Sequence, residues 1–113
     1  MTQKHAIKKA AKLLRDYRLY QAALSYRTDS EEGDEARRAE SERQNRSLCR
    51  KVRAIEDGMN LMTPLEREVV THLIIEKMPV EEVCEVCALE RSSIYRYRLS
   101  ALRKLAVIFY DAE

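Results

Sequence analysis

Between Arg91 and Lys104 the chain reads RSSIYRYRLSALRK, five basic residues with no acidic one among them, a local charge of +5. Arginine, serine and tyrosine at this density suit a polyanion, because guanidinium groups pair bidentately with phosphate or guanine and hydroxyls reach base edges or backbone. Arg91, Ser92, Tyr95, Arg96, Ser100 and Arg103 share one stripe of a helix, with Arg98 and Lys104 at its flanks. The other stripe holds Ile94, Tyr97, Ala101, Leu102, Leu105 and Phe109. Such a helix rests one side on a core and shows the other to a partner.

Other chemistry is poorly provided for. Cys84 and Cys87 form one C-x-x-C pair and Cys49 stands apart, while His5 and His72 have no spacing that pairs them with these cysteines. Four-ligand zinc binding is therefore not expected. The C-x-x-C pair falls within a helical pattern, not at a helix N-terminus after a strand, so a redox role is not expected either. As small apolar fillers in a reduced chain the cysteines are accounted for. There is no Gly-rich phosphate loop, nucleophile elbow or zinc-protease motif. Glu81, Glu82 and Glu85 read as the solvated face of a short helix whose positive end they favour. A non-enzyme without cofactor or metal is expected.

The basic helix needs elements to hold it. Val80, Val83, Cys84 and Cys87 put apolar side chains on one side of a preceding short helix, and Ala88, Leu89 and Glu90 connect the two. A connection this short makes a helix-turn-helix. Upstream, Thr63-Pro64-Leu65-Glu66 is a capping box with proline at the first helical position. The helix it opens runs to about Lys77, burying Leu65, Val69, Leu73 and Ile74, with Met78 closing it and Pro79 ending it.

VEEVCEVCALERSSIYRYRLSALRKL resembles the C-terminal DNA-binding region of bacterial sigma factors, and more closely the phage and prophage transcriptional regulators of the ArpU and RinA type. TPLEREVVTHLI is similar to their entry helix, and LLRDYRLYQAAL to the tyrosine-containing opening helix of ArpU-type regulators. The resemblance implies that Val83, Cys87, Leu89, Ile94 and Tyr97 are buried and that Cys84 fills the small-residue slot where the helices cross. It makes Arg91, Ser92, Tyr95 and Arg96 base-facing in the major groove, with Arg98, Ser100, Arg103 and Lys104 left for phosphate. Two positions depart from the pattern: Ala88 stands where Gly is usual, and Glu90 where a Ser or Thr cap is usual.

The N-terminal half is read from periodicity. Ile7, Ala10, Leu14, Tyr17 and Leu24, widened by Leu13 and Tyr20, predict one helix from Thr2 to about Arg27. TDSEEGD, around Gly33, predicts a loop. A second long helix follows from Asp34 or Glu35 to about Asn60, polar all round in EARRAESERQNR and then seamed by Leu48, Val52, Ile55, Met59 and Met62. Gly58 and Asn60 weaken its end. The expected organisation is all-α: a helical hairpin over residues 1–62, serving oligomerisation, and a three-helix DNA-binding domain over residues 63–113.

Composition agrees with few turns, with 45% hydrophobic and 35% charged residues, two Gly, two Pro and no Trp. The net charge is only +2, but it is polarised: +6 over residues 1–27, −2 over 28–63 and −2 over 64–113. No apolar run is long enough to span a membrane and no signal-peptide pattern opens the chain. The expected partners are double-stranded DNA and a second copy through the N-terminal helices, in a bacterial cytoplasm at the nucleoid. Two other readings are an interaction module docking on RNA polymerase and a small terminase-like packaging protein.

Overall fold

Asp16 divides what the apolar spacing reads as one helix. In the computed structural model, which describes residues 2–29 and 35–111, the chain begins with α1 (Gln3–Arg15) and α2 (Tyr17–Asp29). After α3 (Glu35–Asn60) come α4 (Pro64–Val70), a π-helical turn (Thr71–Ile75), α5 (Val80–Cys87) and α6 (Arg91–Asp111). The described residues contain helices and no strand, so the fold is all-α as the composition predicts. The loop expected around Gly33 and the side chain of Phe109 lie outside the described residues.

The continuous helix expected from Thr2 to Arg27 is thus corrected to two. Asp16 sits at φ −98° and ψ 3°, and Tyr20 N–H returns to its carbonyl at 3.0 Å. The halves serve different neighbours. α1 packs across α6 and the π turn, whereas α2 packs along α3, where Tyr17 donates to Glu56 Oε1 at 3.3 Å. The radius of gyration, 16.4 Å, exceeds the roughly 13 Å of a compact chain this long, and the α2–α3 hairpin accounts for the excess.

Two apolar clusters organise the rest. The larger contains Ala6, Ala10 and Leu14 of α1, Ile55 of α3, Val70, Ile74 and Ile75, and Ala101, Leu102, Leu105 and Ala106 of α6. Residues on both sides of the cap at Thr63 therefore share one core. The buried alanines on α1 and α6 carry no rotamer entropy and let the helix axes approach closely. The smaller cluster joins Val69, Val83 and Ile94, with Leu73, Cys84, Cys87, Leu89 and Tyr97 packed around it. The N-terminal part of α6 belongs to the small cluster and its C-terminal part to the large one.

α4 does not run on as an α-helix to Lys77. From Thr71 the ladder shifts to i→i+5, with Glu76 N–H on the Thr71 carbonyl at 2.8 Å. The wider turn brings residues five apart onto one face, so Val70 and Ile75 enter the same cluster. Lys77 then takes a left-handed φ of 57°.

Gly58, two residues before the end of α3, is also a contact point. It is buried, and a Cβ placed there would overlap Leu105 Cδ1, with Leu105 Cγ at 3.3 Å and Leu105 Cα at 3.4 Å. Only glycine lets α6 lie this close to α3. Gly58→Ala gains about 1 kcal/mol of helix propensity but forces apart a packed contact. A net loss of about 1–3 kcal/mol is expected in urea unfolding; an alanine variant as stable as the parent would show that the helices can separate freely.

Candidate nucleic-acid interface

The short helix α5 starts directly after Pro79, whose carbonyl accepts from Glu82 and Val83 at 3.0 and 3.1 Å. It ends at Ala88, held at φ 55° and ψ 46°, and Leu89 N–H closes the turn on the Cys84 carbonyl at 3.0 Å. The turn is left-handed although its residue is not glycine. An L-residue here costs about 1–2 kcal/mol, and the conformation is the one glycine favours. Ala88→Gly should raise stability by about 0.5–1 kcal/mol in thermal or urea unfolding. A loss instead would mean that the Ala88 methyl packs usefully.

How α6 is rotated depends on Glu66. This carboxylate is 2% exposed, the one buried charged group among the described residues. Its Oε1 accepts Thr63 N–H at 2.8 Å and Lys104 Nζ at 2.5 Å, and its Oε2 accepts the Ser100 hydroxyl. Thr63 Oγ1 accepts Glu66 N–H at 3.2 Å in return, completing the capping box. Burial alone would raise the Glu66 pKa; the hydrogen bonds from Lys104, Ser100 and Thr63 outweigh it and hold the group at about 2. Thr63 caps α4 through Glu66, and the same carboxylate grips α6 at two positions four residues apart.

Ser100 and Lys104, expected to contact phosphate, are thereby placed elsewhere. Both are half-buried and committed to Glu66. The rotation leaves Ser92, Tyr95, Arg96, Leu99 and Arg103 along the outer face, with Tyr95 50% exposed and Leu99 38% exposed. Leu99 was not among the residues singled out from the sequence, although its spacing, one turn from Tyr95, places it on the polar stripe. Arg96 Nη2 donates to Ser93 Oγ at 3.4 Å, and its guanidinium stands 6.0 Å from the Tyr97 ring centroid. Arg91 pairs with Glu81 of α5 at 3.1 Å. Both partners are exposed, so the pair is worth under about 1 kcal/mol and yields readily to a competing anion. Arg98 is half-buried and turns instead towards α1, where it joins Lys8, Arg15 and Lys77 around one cleft.

The other residues the sequence offered for chemistry are not assembled into a site. Cys49 is exposed and Cys84 and Cys87 are half-buried, all as free thiols. Burial, then Glu68 and Cys84, push the Cys87 thiol up, which disfavours the reactive thiolate. His72 lies between two carboxylates of its own helical stretch, Glu76 at 3.3 Å and Glu68 at 4.0 Å. His5 is exposed, and its backbone N–H donates to the Thr2 cap at 3.2 Å. Among the described residues no group of three ligating side chains forms a metal cluster, and no helix is long and apolar enough to cross a membrane. No family model, curated protein or solved structure matches the chain.

The Glu66 pKa sets a pH dependence. Its folded value lies below the ordinary 4.5, so its stabilisation is complete above pH 4.5 and is lost as pH falls towards about 2. Glu66→Gln should cost about 2–3 kcal/mol at pH 7. Urea unfolding at pH 7 and pH 3 should show the parent losing stability on acidification more steeply than the variant. Parallel losses would mean that another group carries the acid sensitivity.

Proposed function

We propose that this chain is a sequence-specific DNA-binding regulator of transcription that lays the first turns of α6 in the major groove. The observation that carries the reading is the outer face of α6. There Ser92, Tyr95, Arg96 and Arg103 stand exposed on a helix fixed by two cores, joined to α5 through a three-residue left-handed turn. Arg91 and Arg96 supply bidentate donors for guanine, and Ser92 and Tyr95 reach base edges or the adjacent backbone. Leu99 supplies an apolar contact of the kind that reads a thymine methyl. Arg103 and Arg98 fall to phosphate.

The resemblance to ArpU- and RinA-type regulators fits this arrangement and carries the rest of the proposal: a phage or prophage origin, action in the bacterial cytoplasm, and no catalytic role. A single unit of this size reads few base pairs, so a homodimer on two half-sites completes the reading. The helices of the α2–α3 hairpin pack on each other and meet α6 through the second half of α3, at Ile55 and Gly58, which leaves the polar first half of α3 available for that contact.

A second reading draws on the same face. Tyr95, Leu99 and Val107, 50%, 38% and 46% exposed, make a partly apolar strip that suits a protein partner such as RNA polymerase.

Selection from a random duplex library, with Arg96→Ala and Arg103→Ala beside the parent, decides between them. The parent should enrich one motif, whose symmetry reports the oligomer. Arg96→Ala should lose about 1–3 kcal/mol on that motif and little on random DNA, while Arg103→Ala should weaken both alike. No enriched motif would leave the protein-docking reading in its place.

A further inference from the structure

A basic cleft lies between α1, the π turn and α6. It encloses about 510 Å³ and is lined by Lys8 and Arg15 from α1, Lys77 from the end of the π turn and Arg98 from α6, over a floor that includes Leu73 and Ile74. No carboxylate lines it. None of these four cations has an ion-pair partner among the described residues, unlike Arg91 and Lys104. Four like charges gathered from three elements repel one another, and an anion seated between them relieves that repulsion.

The arrangement is held by the fold. Lys8 and Arg15 are spaced seven apart, two turns of α1, and α1 is fixed by Ala6, Ala10 and Leu14 at zero exposure. Lys77, two residues beyond the π turn, is itself held at a left-handed φ of 57°. α1 as a whole carries Lys4, Lys8, Lys9, Lys12 and Arg15 and no acidic residue. Its other flank forms a second open cleft, lined in part by Lys12, Arg50 and Lys51. Basic surface therefore continues around α1.

The cleft also adjoins the outer face of α6, since Arg98 follows Tyr95 by three residues, one turn of helix. The geometry points to a phosphodiester-binding site at Lys8, Arg15, Lys77 and Arg98 that grips the backbone of the duplex read by α6. This inference rests on the DNA-binding reading above and adds α1, a helix outside the helix-turn-helix, to the contact surface. The site contributes affinity and no sequence preference, because it meets phosphate and not bases.

The test is the salt dependence of duplex binding by the full chain. The parent is compared with a variant carrying Lys8→Gln, Arg15→Gln and Lys77→Asn, the last chosen because asparagine tolerates positive φ. A control of equal charge carries Arg38→Gln, Arg43→Gln and Arg46→Gln on the polar half of α3; thermal melts confirm that all three proteins fold, and sedimentation confirms that they share one oligomeric state. Loss of the cleft cations should lower the slope of log affinity against log salt by about 2 to 3, at about 0.9 for each phosphate released. Affinity should fall at least tenfold on every sequence while any selected motif stays the same. An unchanged slope, or an equal change in the α3 control, overturns the inference. So does binding to phosphatidylglycerol vesicles that needs the cleft while duplex binding does not. The two readings fail separately. A slope change without any enriched motif keeps the cleft and removes sequence-specific regulation, whereas an enriched motif with an unchanged slope does the reverse.

Discussion

The buried carboxylate of Glu66 is the constraint on which the rest depends. A nearly inaccessible anion is tolerated only where its oxygens are saturated, and here three donors from two elements meet it: Thr63 N–H, Ser100 Oγ and Lys104 Nζ. Because Ser100 and Lys104 are one turn apart, the contact fixes both the height and the rotation of α6 against α4. Rotation is what decides which of its basic residues point outward. Apolar packing alone tolerates some rolling of a helix, since van der Waals contacts are non-directional, whereas a carboxylate gripping two named side chains does not.

The fold divides labour along α6. Its N-terminal half is held by Val69 and Val83 around Ile94, and its C-terminal half by α1, α3 and the π turn around Leu102 and Leu105. Two tight approaches make this possible. Gly58 admits Leu105 against the α3 backbone, and the alanines of α1 and α6 let those helices close on each other. The π turn belongs to the same economy, since its extra residue per turn lets one short segment supply Val69 to the small cluster and Val70, Ile74 and Ile75 to the large one. α1 thus stands beside the helix-turn-helix as part of its core, and its Lys8 and Arg15 stand beside α6.

Much of this was legible in the chain. The capping box at Thr63 to Glu66, the boundaries of α3 and α5, the start of α6 and its apolar stripe through Ile94, Ala101, Leu102 and Leu105 follow from local chemistry, and the structure contains each of them. Local signals suffice because caps, proline and period-3.6 spacing act within one turn. The break at Asp16 was not legible: no glycine or proline marks it, and it follows from α1 and α2 serving different neighbours. The π turn was hidden for the same kind of reason, since THLII reads as ordinary helix until Ile74 and Ile75 are both drawn into the large cluster.

The sequence by itself determined that the chain is helical, where most helices begin and end, and that an acid-free basic stripe lies on α6. Only the tertiary structure decided how that stripe is used. A helical wheel puts Ser100 and Arg103 on the open stripe and Lys104 at its flank, but the Glu66 partner lies 34 and 38 residues away from Ser100 and Lys104, so no local pattern encodes their engagement with it. Likewise the Lys8 and Arg15 pair of α1 is distant in sequence from Lys77 and Arg98, and they meet only because α1 crosses α6. Hydrogen bonds within a turn are written in adjacent residues; charge clusters between elements are made by packing.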